Sequence, residues 1–257
     1  MKRFSDSTIS IITVTFNAAA TLADCLDSVS GQRNIVAEHI IIDGASTDAT
    51  PSILAEKKRC ISRLISEPDK GIYDAMNKGL RLALGEIIGF LNADDLYASD
   101  DVLAQVRNAF SDPAVYSCYG DLIYVDTAQS EKIVRYWRAG GYDAKKFYRG
   151  WMPPHPTFFV RRQVYEKYGY FNTALGSAAD YELMLRFLLK ERISTVYIPE
   201  ILVRMRTGGI SNASLANRLR ANRMDRRAWT INGLRPYPWT LWMKPMRKIS
   251  QWFVHAR

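Results

Sequence analysis

The sequence has few cysteines, and their spacing argues against a disulfide framework or a zinc site. Three occur in 257 residues, Cys25, Cys60 and Cys118, with no CxxC pair and no histidine at zinc-ligand spacing. An odd number of isolated thiols is typical of a reduced cytosolic protein. Hydrophobic residues make up 47% of the chain, which is enough to build a core without covalent staples.

Long apolar runs are also missing. No uncharged stretch approaches the roughly 18 residues that a spanning helix needs. The first apolar segment, residues 9–16, is short and is interrupted by Ser10, Thr13 and Thr15. It therefore reads as a first strand and not as a signal peptide. The sequence predicts a cytoplasmic protein that does not cross a membrane.

The familiar glycine-rich phosphate loops are absent as well. The first strand is followed by the sequence Asn17-Ala-Ala-Ala-Thr21, which contains neither GxGxxG nor GxxxxGK[ST]. If the protein binds a nucleotide, it must hold the phosphates by other means.

Positive charge is concentrated at one end of the chain. The formal net charge is +9, but residues 201–257 contain twelve Lys or Arg and a single acid, Asp225. The balance of +11 in this tail leaves −2 for the first 200 residues. The basic character therefore belongs to the tail and says little about the core.

Short β-type runs alternate with amphipathic helical runs in the first half, which predicts an α/β fold with a mostly parallel central sheet flanked by helices. We expect a nucleotide-binding half at about 1–110 and an acceptor-binding half at 111–211. A clear helix is predicted over 179–190. Residues 212–257 are expected to form a basic, aromatic helical tail.

Three polar clusters follow predicted strands: Thr15 to Asn17, Asp43 to Asp48, and Asn92 to Asp95. Ligands of parallel sheets bind beyond the carboxyl ends of the strands. The coincidence of three clusters at such ends predicts a binding site there.

Asp94 and Asp95 are suited to hold a divalent ion, since one or two carboxylates can bind a cation that bridges two phosphates. The structural alternative is that they cap a helix beginning near Ser99. The two neighbouring polar clusters favour the metal site.

Several ordered motifs resemble those of the family 2 glycosyltransferases of the GT-A fold, especially bacterial enzymes of exopolysaccharide, colanic-acid-type and O-antigen synthesis. The matching segments are SIITVTFN at 10–17, IIDGASTDAT at 41–50, SEPDKGIYDAMNKG at 66–79, GEIIGFLNADD at 85–95, HP at 155–156, AADYEL at 178–183 and GGIS at 208–211. The resemblance implies a Rossmann-like GT-A domain over residues 1–211. It also implies a nucleotide diphosphate sugar as donor.

The resemblance assigns the nucleotide site residue by residue. Phe16 and Asn17 would line the base and ribose site, and Asp43 would accept a hydrogen bond from the nucleobase imide, which favours a UDP-sugar. Asp94 would contact the ribose, and Asp95 would ligate Mg²⁺ or Mn²⁺. The family's Asp-x-Asp is Asn92-x-Asp94 here, so no metal ligand is expected at position 92, and a share of the ion for Asp94 stays open.

Asp180 matches the position of the family's general base, which removes the proton of the attacking acceptor hydroxyl. Taken alone, the residue would read as an acid stabilised by a helix N-terminus. Direct displacement by the acceptor would invert the anomeric configuration.

Six further residues are candidates for contacts with donor or acceptor: Lys70, Asp74, Asn77, His155, Arg204 and Arg206. The three at 70–77 could position the sugar or simply order a helix, and structure is favoured for them. His155 is more often a satisfied hydrogen-bonding residue than an active-site group. The arginines flank a loop at Gly208 and Gly209 that could close over the diphosphate, although an ordinary turn explains the glycines equally well.

The tail contains an amphipathic helical pattern over 241–254. Trp242, Met246, Ile249 and Phe253 lie on one face, and basic residues lie on the other. Such a helix fits an anionic membrane surface, which would make the protein peripheral on the inner face of the cell membrane. Packing on the catalytic domain fits equally well. No nucleic-acid module is recognisable, so no nucleic-acid partner is expected.

Together these features predict an inverting, metal-dependent glycosyltransferase of the hexosyltransferase type. The acceptor is expected to be a glycan or a polyprenyl-linked sugar in cell-surface polysaccharide synthesis. Two alternatives remain: a sugar-1-phosphate nucleotidyltransferase, whose Gly-rich, Arg-containing loop is absent here, and a sugar-nucleotide-binding protein without turnover.

Overall fold

The computed structural model describes residues 8–33, 35, 37–127, 132–207 and 215–250, the last range with side chains at 221–247. In these ranges nine strands form one sheet. They are β1 (Ile9–Thr15), β2 (Glu38–Asp43), β3 (Arg63–Ser66), β4 (Ile87–Phe90), β5 (Asp95–Tyr97), β6 (Ser117–Val125), β7 (Ile133–Trp137), β8 (Phe159–Arg161) and β9 (Thr195–Arg206). The helices are α1 (Leu22–Ser30), α2 (Thr50–Glu56), α3 (Ile72–Leu82), α4 (Val102–Ala109), α5 (Ala144–Phe147), α6 (Arg162–Tyr168), α7 (Ala179–Met184), α8 (Leu215–Ile231) and α9 (Thr240–Ser250).

The strands follow the order β3-β2-β1-β4-β8-β6-β9-β5, with β7 beside β6. Strands β1 to β4 are parallel to one another, and β6 is parallel to β9. Strand β8 is antiparallel to both of its neighbours, β4 and β6. The predicted α/β class with a largely parallel sheet is confirmed.

The central strands are buried on both faces, as the near-continuous apolar runs in their sequences indicate. All seven residues of β1 and all four of β4 are buried. Helix α3 packs against β1 through Met76 and Leu80. Gly79 permits this close approach, since a Cβ there would lie 2.4 Å from Cγ2 of Ile12.

The helix predicted over 179–190 has those bounds. It begins as α7 and continues in wider π-helical turns over Leu185–Lys190. Its expected apolar positions, Leu183, Phe187 and Leu188, are all fully buried. Arg186 fixes the helix to the preceding loop by donating to the carbonyl oxygens of Gly169 (2.8 Å) and Tyr170 (2.7 Å).

The two C-terminal helices pack on α7. Trp229 of α8 is fully buried, and its Nε1 donates to the Tyr181 hydroxyl at 3.0 Å. In α9, Lys244 Nζ lies 2.8 Å from Asp225 Oδ2 and 3.6 Å from the Tyr181 ring centroid. No helix in the described ranges is both long enough and apolar enough to cross a membrane. Ile249 is described in backbone only, and Phe253 lies outside the described residues.

Candidate active site

The carboxyl ends of β1, β2 and β4 lie side by side at one edge of the sheet. Thr15 at the end of β1 is in register with Asp43 at the end of β2. Beyond β4, the backbone N–H of Ala93 donates to the Val14 carbonyl at 3.4 Å, so the chain continues alongside the end of β1. The three predicted polar clusters therefore meet at this edge, where parallel sheets bind their ligands.

Asp43 is fully buried and hydrogen-bonded through both oxygens. The Ser46 hydroxyl donates to Oδ1 at 2.5 Å, and the Ser66 hydroxyl donates to Oδ2 at 2.6 Å. The carboxylate thus holds the β2–α2 loop and the end of β3. A nucleobase would reach Asp43 only if one of these hydroxyls turned away.

Phe16 and Asn17 form the turn after β1. Asn17 has a left-handed φ of 50°, its N–H donates to Ser46 Oγ at 2.8 Å, and its Oδ1 accepts from the Thr47 N–H at 2.9 Å. Phe16 is 64% exposed, and its ring lies 3.3 Å from where a Cβ would stand at Gly44. An exposed ring against a flat backbone segment gives an aromatic face on which a base can stack.

Asp94 and Asp95 are acidic residues at this edge with few hydrogen-bond donors close to their carboxyl groups. Asp95 is fully buried, and Asn92 Nδ2 donates to its Oδ2 at 3.3 Å. The other oxygen, Oδ1, has no hydrogen-bond partner, nor does Asn92 Oδ1. Burial raises the pKa of Asp95 well above its usual range, and the charge of Asp94 raises it further. Burial also raises the pKa of Asp94.

The structural alternative for this acidic pair is wrong. Asp95 begins β5, and the next helix, α4, starts only at Val102 with Asp101 in front of it. The pair therefore does not cap a helix near Ser99.

Arg206 stands beside the pair. Its guanidinium is buried, lies 2.5 Å from Asp24 Oδ2, and donates to the Asp94 carbonyl at 3.4 Å. Its charge lowers the pKa values of Asp94 and Asp95, but burial outweighs it in both. Arg204 lies in β9 opposite Leu96 of β5. The loop at Gly208 and Gly209 falls outside the described residues.

Asp180 lies in the first turn of α7, where its Oδ1 accepts from the Tyr181 N–H at 2.7 Å. It acts electrostatically on two neighbours. Burial raises the pKa of Tyr73. The charge of Asp180 and its side-chain hydrogen bond with Tyr73 raise that pKa further. Burial lowers the pKa of His155, and the charge of Asp180 partly opposes that effect. The lowered pKa keeps the His155 ring mainly neutral at pH 7.

The same His155 ring connects Asp180 to the strand edge. It stacks on Phe90, the last residue of β4, with ring centroids 5.6 Å apart, and meets Phe171 edge-on at 5.6 Å. Asp180 and the Asn92 to Asp95 segment, which directly follows β4, are thus brought to the same end of the sheet.

Of the three candidates at 70–77, Asp74 and Asn77 make side-chain contacts within the local structure. Asp74 Oδ2 accepts from the Lys70 N–H at 3.1 Å and lies 4.0 Å from Lys78 Nζ. Asn77 is buried and bridges the backbone of Phe171, donating to its carbonyl at 2.9 Å and accepting from its N–H at 3.0 Å. These bonds order the start of α3 and fasten it to the segment that supports His155.

Known proteins resemble this chain in both sequence and fold. The sequence profile of Glycosyl transferase family 2 matches residues 10–169, more than half of the chain. The chain belongs to this family. It is 33% identical over 207 residues to a PGL/p-HBAD biosynthesis glycosyltransferase of Mycobacterium bovis (strain BCG / Pasteur 1173P2), covering 79% of this chain and 78% of that protein.

Solved glycosyltransferases share the GT-A fold of this family 2 protein. S. aureus TarS 1-349, solved with UDP-GlcNAc, superposes with a TM-score of 0.66 and is 15% identical in sequence. The superposition covers 87% of this chain and 66% of the TarS chain. The mannosyltransferase PcManGT from Pyrobaculum calidifontis, solved with GDP-Man and Mn²⁺, gives 0.63 at 18% identity over 97% of this chain and 76% of that one. These likenesses establish the fold of the glycosyltransferase.

Three residues at this site were not predicted from the sequence: Asp24, Asp69 and Tyr73. Asp69 Oδ2 would lie 2.6 Å from a Cβ at Gly44, next to the Phe16 ring. Asp69 and Tyr73 lie inside the motif at 66–79, next to the candidates Lys70 and Asp74, so this motif could have indicated them. Asp24 meets Arg206 across 182 positions of sequence, and no local pattern predicts that pair.

The carboxylate pair fits a divalent cation. A buried carboxylate oxygen and a neighbouring amide oxygen without partners are unusual in a folded protein, and hard cations prefer oxygen ligands. No group of three or more His, Cys, Asp or Glu suited to a metal ion occurs among the residues described. The chain would therefore supply one or two carboxylates, and donor phosphates and water would complete the shell.

Proposed function

We propose that this family 2 protein is an inverting glycosyltransferase that moves a sugar from a UDP-sugar to a hydroxyl of a glycan or lipid-linked acceptor. Mg²⁺ or Mn²⁺ would be its cofactor, with Asp95 as ligand and Asp94 at the ribose or sharing the ion. The reaction would belong to cell-surface polysaccharide synthesis on the inner face of the cell membrane.

The observation that supports this proposal best is the buried Asp95 carboxylate with an unpartnered oxygen at the strand edge. Leaving a buried carboxylate oxygen unpaired costs about 1–3 kcal/mol or more, so a site that retains one needs a compensating ligand. A divalent cation with a diphosphate meets that need. When bound, the cation neutralises the charge that develops on the leaving diphosphate.

Asp180 is the proposed general base. Its Oδ1 accepts from the Tyr181 N–H, and the carboxylate would take the proton of the acceptor hydroxyl. Burial and the charge of Asp180 raise the pKa of Tyr73, and burial lowers the pKa of His155, so both neighbours of the base would be uncharged at neutral pH. The acceptor oxygen then attacks the anomeric carbon opposite the leaving diphosphate, which inverts the configuration at that carbon.

The nucleotide would lie along the β1–β2 edge. Phe16 presents an exposed aromatic face there, and Asn17 and Ser46 fix the turn that carries it. Stacking of a base on one aromatic ring contributes about 1–3 kcal/mol, so Phe16 would supply part of the affinity for the base, while the phosphates would be held with the help of the cation.

A donor screen tests the proposal. The full chain is incubated with UDP-, GDP- and dTDP-sugars and Mn²⁺, and release of the nucleotide diphosphate is followed. We expect release from a UDP-sugar. Pyrophosphate release from UTP and a sugar phosphate would support a nucleotidyltransferase instead, and donor binding without turnover over a broad acceptor panel would support a binding protein.

Replacing Asp180 separates binding from chemistry. Asp180→Asn should leave donor affinity nearly intact and lower turnover by about two to four orders of magnitude, the range for a positioned base. Asp100→Asn, which alters an exposed carboxylate paired with Arg33, is the control and should behave as wild type. Equal turnover of Asp180→Asn and wild type would remove Asp180 from the mechanism.

A further inference from the structure

Exposed aromatic residues are concentrated at the start of α9. Among the described residues eleven large hydrophobic side chains are exposed, and four of them lie within ten positions: Tyr237, Trp239, Trp242 and Met246. Isolated exposed apolar side chains are normal on a protein surface, whereas a cluster of this kind marks an interaction site.

The inner face of α9 explains why these side chains point outward. Lys244 turns inward to Asp225 and the Tyr181 ring, and Leu241 is buried. The helix backbone rests on Gly150, where a Cβ would lie 2.4 Å from the Lys244 nitrogen. The apolar side of the helix is therefore left facing solvent, with Trp242 68% and Met246 65% exposed.

A basic cavity adjoins the exposed aromatics. It has a volume of about 380 Å³ and is lined by Lys145, Tyr148, Arg149, Tyr237 and Trp239. Tyr237 stacks on Trp239 with ring centroids 5.1 Å apart, and Thr240 Oγ1 donates to the Tyr148 carbonyl at 2.7 Å. These contacts connect the residue after α5 to the start of α9, so both segments form one continuous wall of the cavity.

The two basic side chains at this cavity form no ion pair within the part of the chain that the structure describes. Lys145 and Arg149 are both exposed. Arg149 also lies close enough to Arg247 to lower the pKa of that side chain, after the larger effect of partial burial. Two exposed cations that line one cavity favour an anionic ligand.

We propose that Lys145, Arg149, Tyr237, Trp239, Trp242 and Met246 form a docking surface for an anionic lipid bilayer, with a lipid phosphate seated in the cavity between Lys145 and Arg149. Trp and Tyr side chains prefer the boundary between headgroups and acyl chains, and basic residues prefer anionic headgroups.

This docking surface lies outside the proposed active site, so each can fail without the other. It also has a defined relation to that site. Lys244, on the inner side of α9, contacts Tyr181, the residue after Asp180. A bilayer held by the outer side of α9 would therefore stand next to the helix that carries the proposed base, where a lipid-linked acceptor would be presented.

Vesicle co-sedimentation with the full chain tests the proposal. Vesicles of phosphatidylcholine alone are compared with vesicles containing phosphatidylglycerol. We expect binding to the anionic vesicles and little to the neutral ones. Lys145→Glu with Arg149→Glu should weaken binding by about 25-fold or more, and Trp242→Ser with Met246→Ser by about tenfold or more.

Matched controls lie elsewhere on the surface. Leu84→Ser removes a side chain as exposed as Met246, at 64%, and Lys58→Glu with Arg59→Glu reverses two exposed charges near α2. Both should bind vesicles like wild type. UDP binding by every variant, measured without vesicles, reports that the nucleotide site is intact.

Several outcomes would overturn the docking surface: no wild-type binding to anionic vesicles, binding that survives both surface variants, or equal loss in the controls. Duplex DNA is added as a competitor. If DNA displaces the vesicles and the Trp242/Met246 variant binds as well as wild type, the surface is a general polyanion site and the proposal fails.

Discussion

Two aspartates at the same edge of the sheet are equally buried but differ in their hydrogen bonds. Asp43 at the end of β2 receives two serine hydroxyls, whereas Asp95, just beyond β4, has one amide contact and an oxygen without a partner. The fold supplies a hydrogen bond to each oxygen of the Asp43 carboxylate but leaves one oxygen of the Asp95 carboxylate without a partner. Burial alone therefore does not distinguish the two carboxylates at this edge, whereas the missing hydrogen bond is the reason for proposing Asp95 as the ligand.

The comparison predicts its largest effect at Asp95. Asp95→Asn should abolish Mn²⁺-dependent donor binding and transfer because the amide cannot replace a charged ligand. The metal-free protein should be as stable as wild type or more stable, since a buried uncompensated charge has been removed. Thermal unfolding and donor titration measure the two quantities. A variant with normal metal-dependent transfer would contradict the assignment.

The opposite outcome is expected at Asp43. Asp43→Ala should lower the free energy of unfolding by about 1.5–3 kcal/mol, because Ser46 and Ser66 lose a charged acceptor. Chemical denaturation measures the loss, and Asp43→Asn, which keeps one acceptor oxygen, should lose less. If Asp43→Ala unfolds like wild type, the carboxylate does not hold the loop.

The stability of the metal-free protein should also depend on pH through Asp95. Its pKa is raised in the folded state, so above the ordinary Asp value of about 3.9 the folded protein holds a proton that the unfolded chain has lost. Stability therefore falls as pH rises from about 4 through the raised pKa. Melting temperatures across this range should decline less in Asp95→Asn, and parallel profiles would contradict the raised pKa.

The smallest effect concerns Ser66. Ser66→Ala removes one of the two hydroxyls on Asp43 and should cost about 1 kcal/mol of stability, measured by denaturant unfolding. Ser52→Ala, on the exposed surface of α2, is the matched control and should change stability by less than about 0.5 kcal/mol. A loss at Ser52 as large as at Ser66 would mean that the hydrogen bond contributes nothing specific.

The sequence predicts the strands that form the ligand-binding edge of the sheet better than the contacts between segments that are distant in sequence. Apolar runs and polar strand ends locate β1, β2 and β4 within a residue or two, and helical spacing gives the full span of 179–190. These features depend on local periodicity. The motif resemblance adds the candidate residues but not their partners.

Long-range pairings could not be predicted because they depend on how separate segments meet. The Asp24–Arg206 contact joins α1 to β9 across most of the chain. The orientation of α9 was equally hidden, since Lys244 turns inward to Asp225 while Trp242 and Met246 face outward. Amphipathic spacing shows that a helix has two faces, but the acid that receives a lysine decides which face packs.

Calorimetric titration of Mn²⁺ into wild type and Asp95→Asn, with UDP present, tests the central claim most directly. Mildly acidic buffers of different ionisation enthalpy reveal whether binding releases protons. Wild type should bind the ion and release a proton from the carboxylate pair, and Asp95→Asn should do neither. Equal affinities in the two proteins, with no proton released by either, would contradict it.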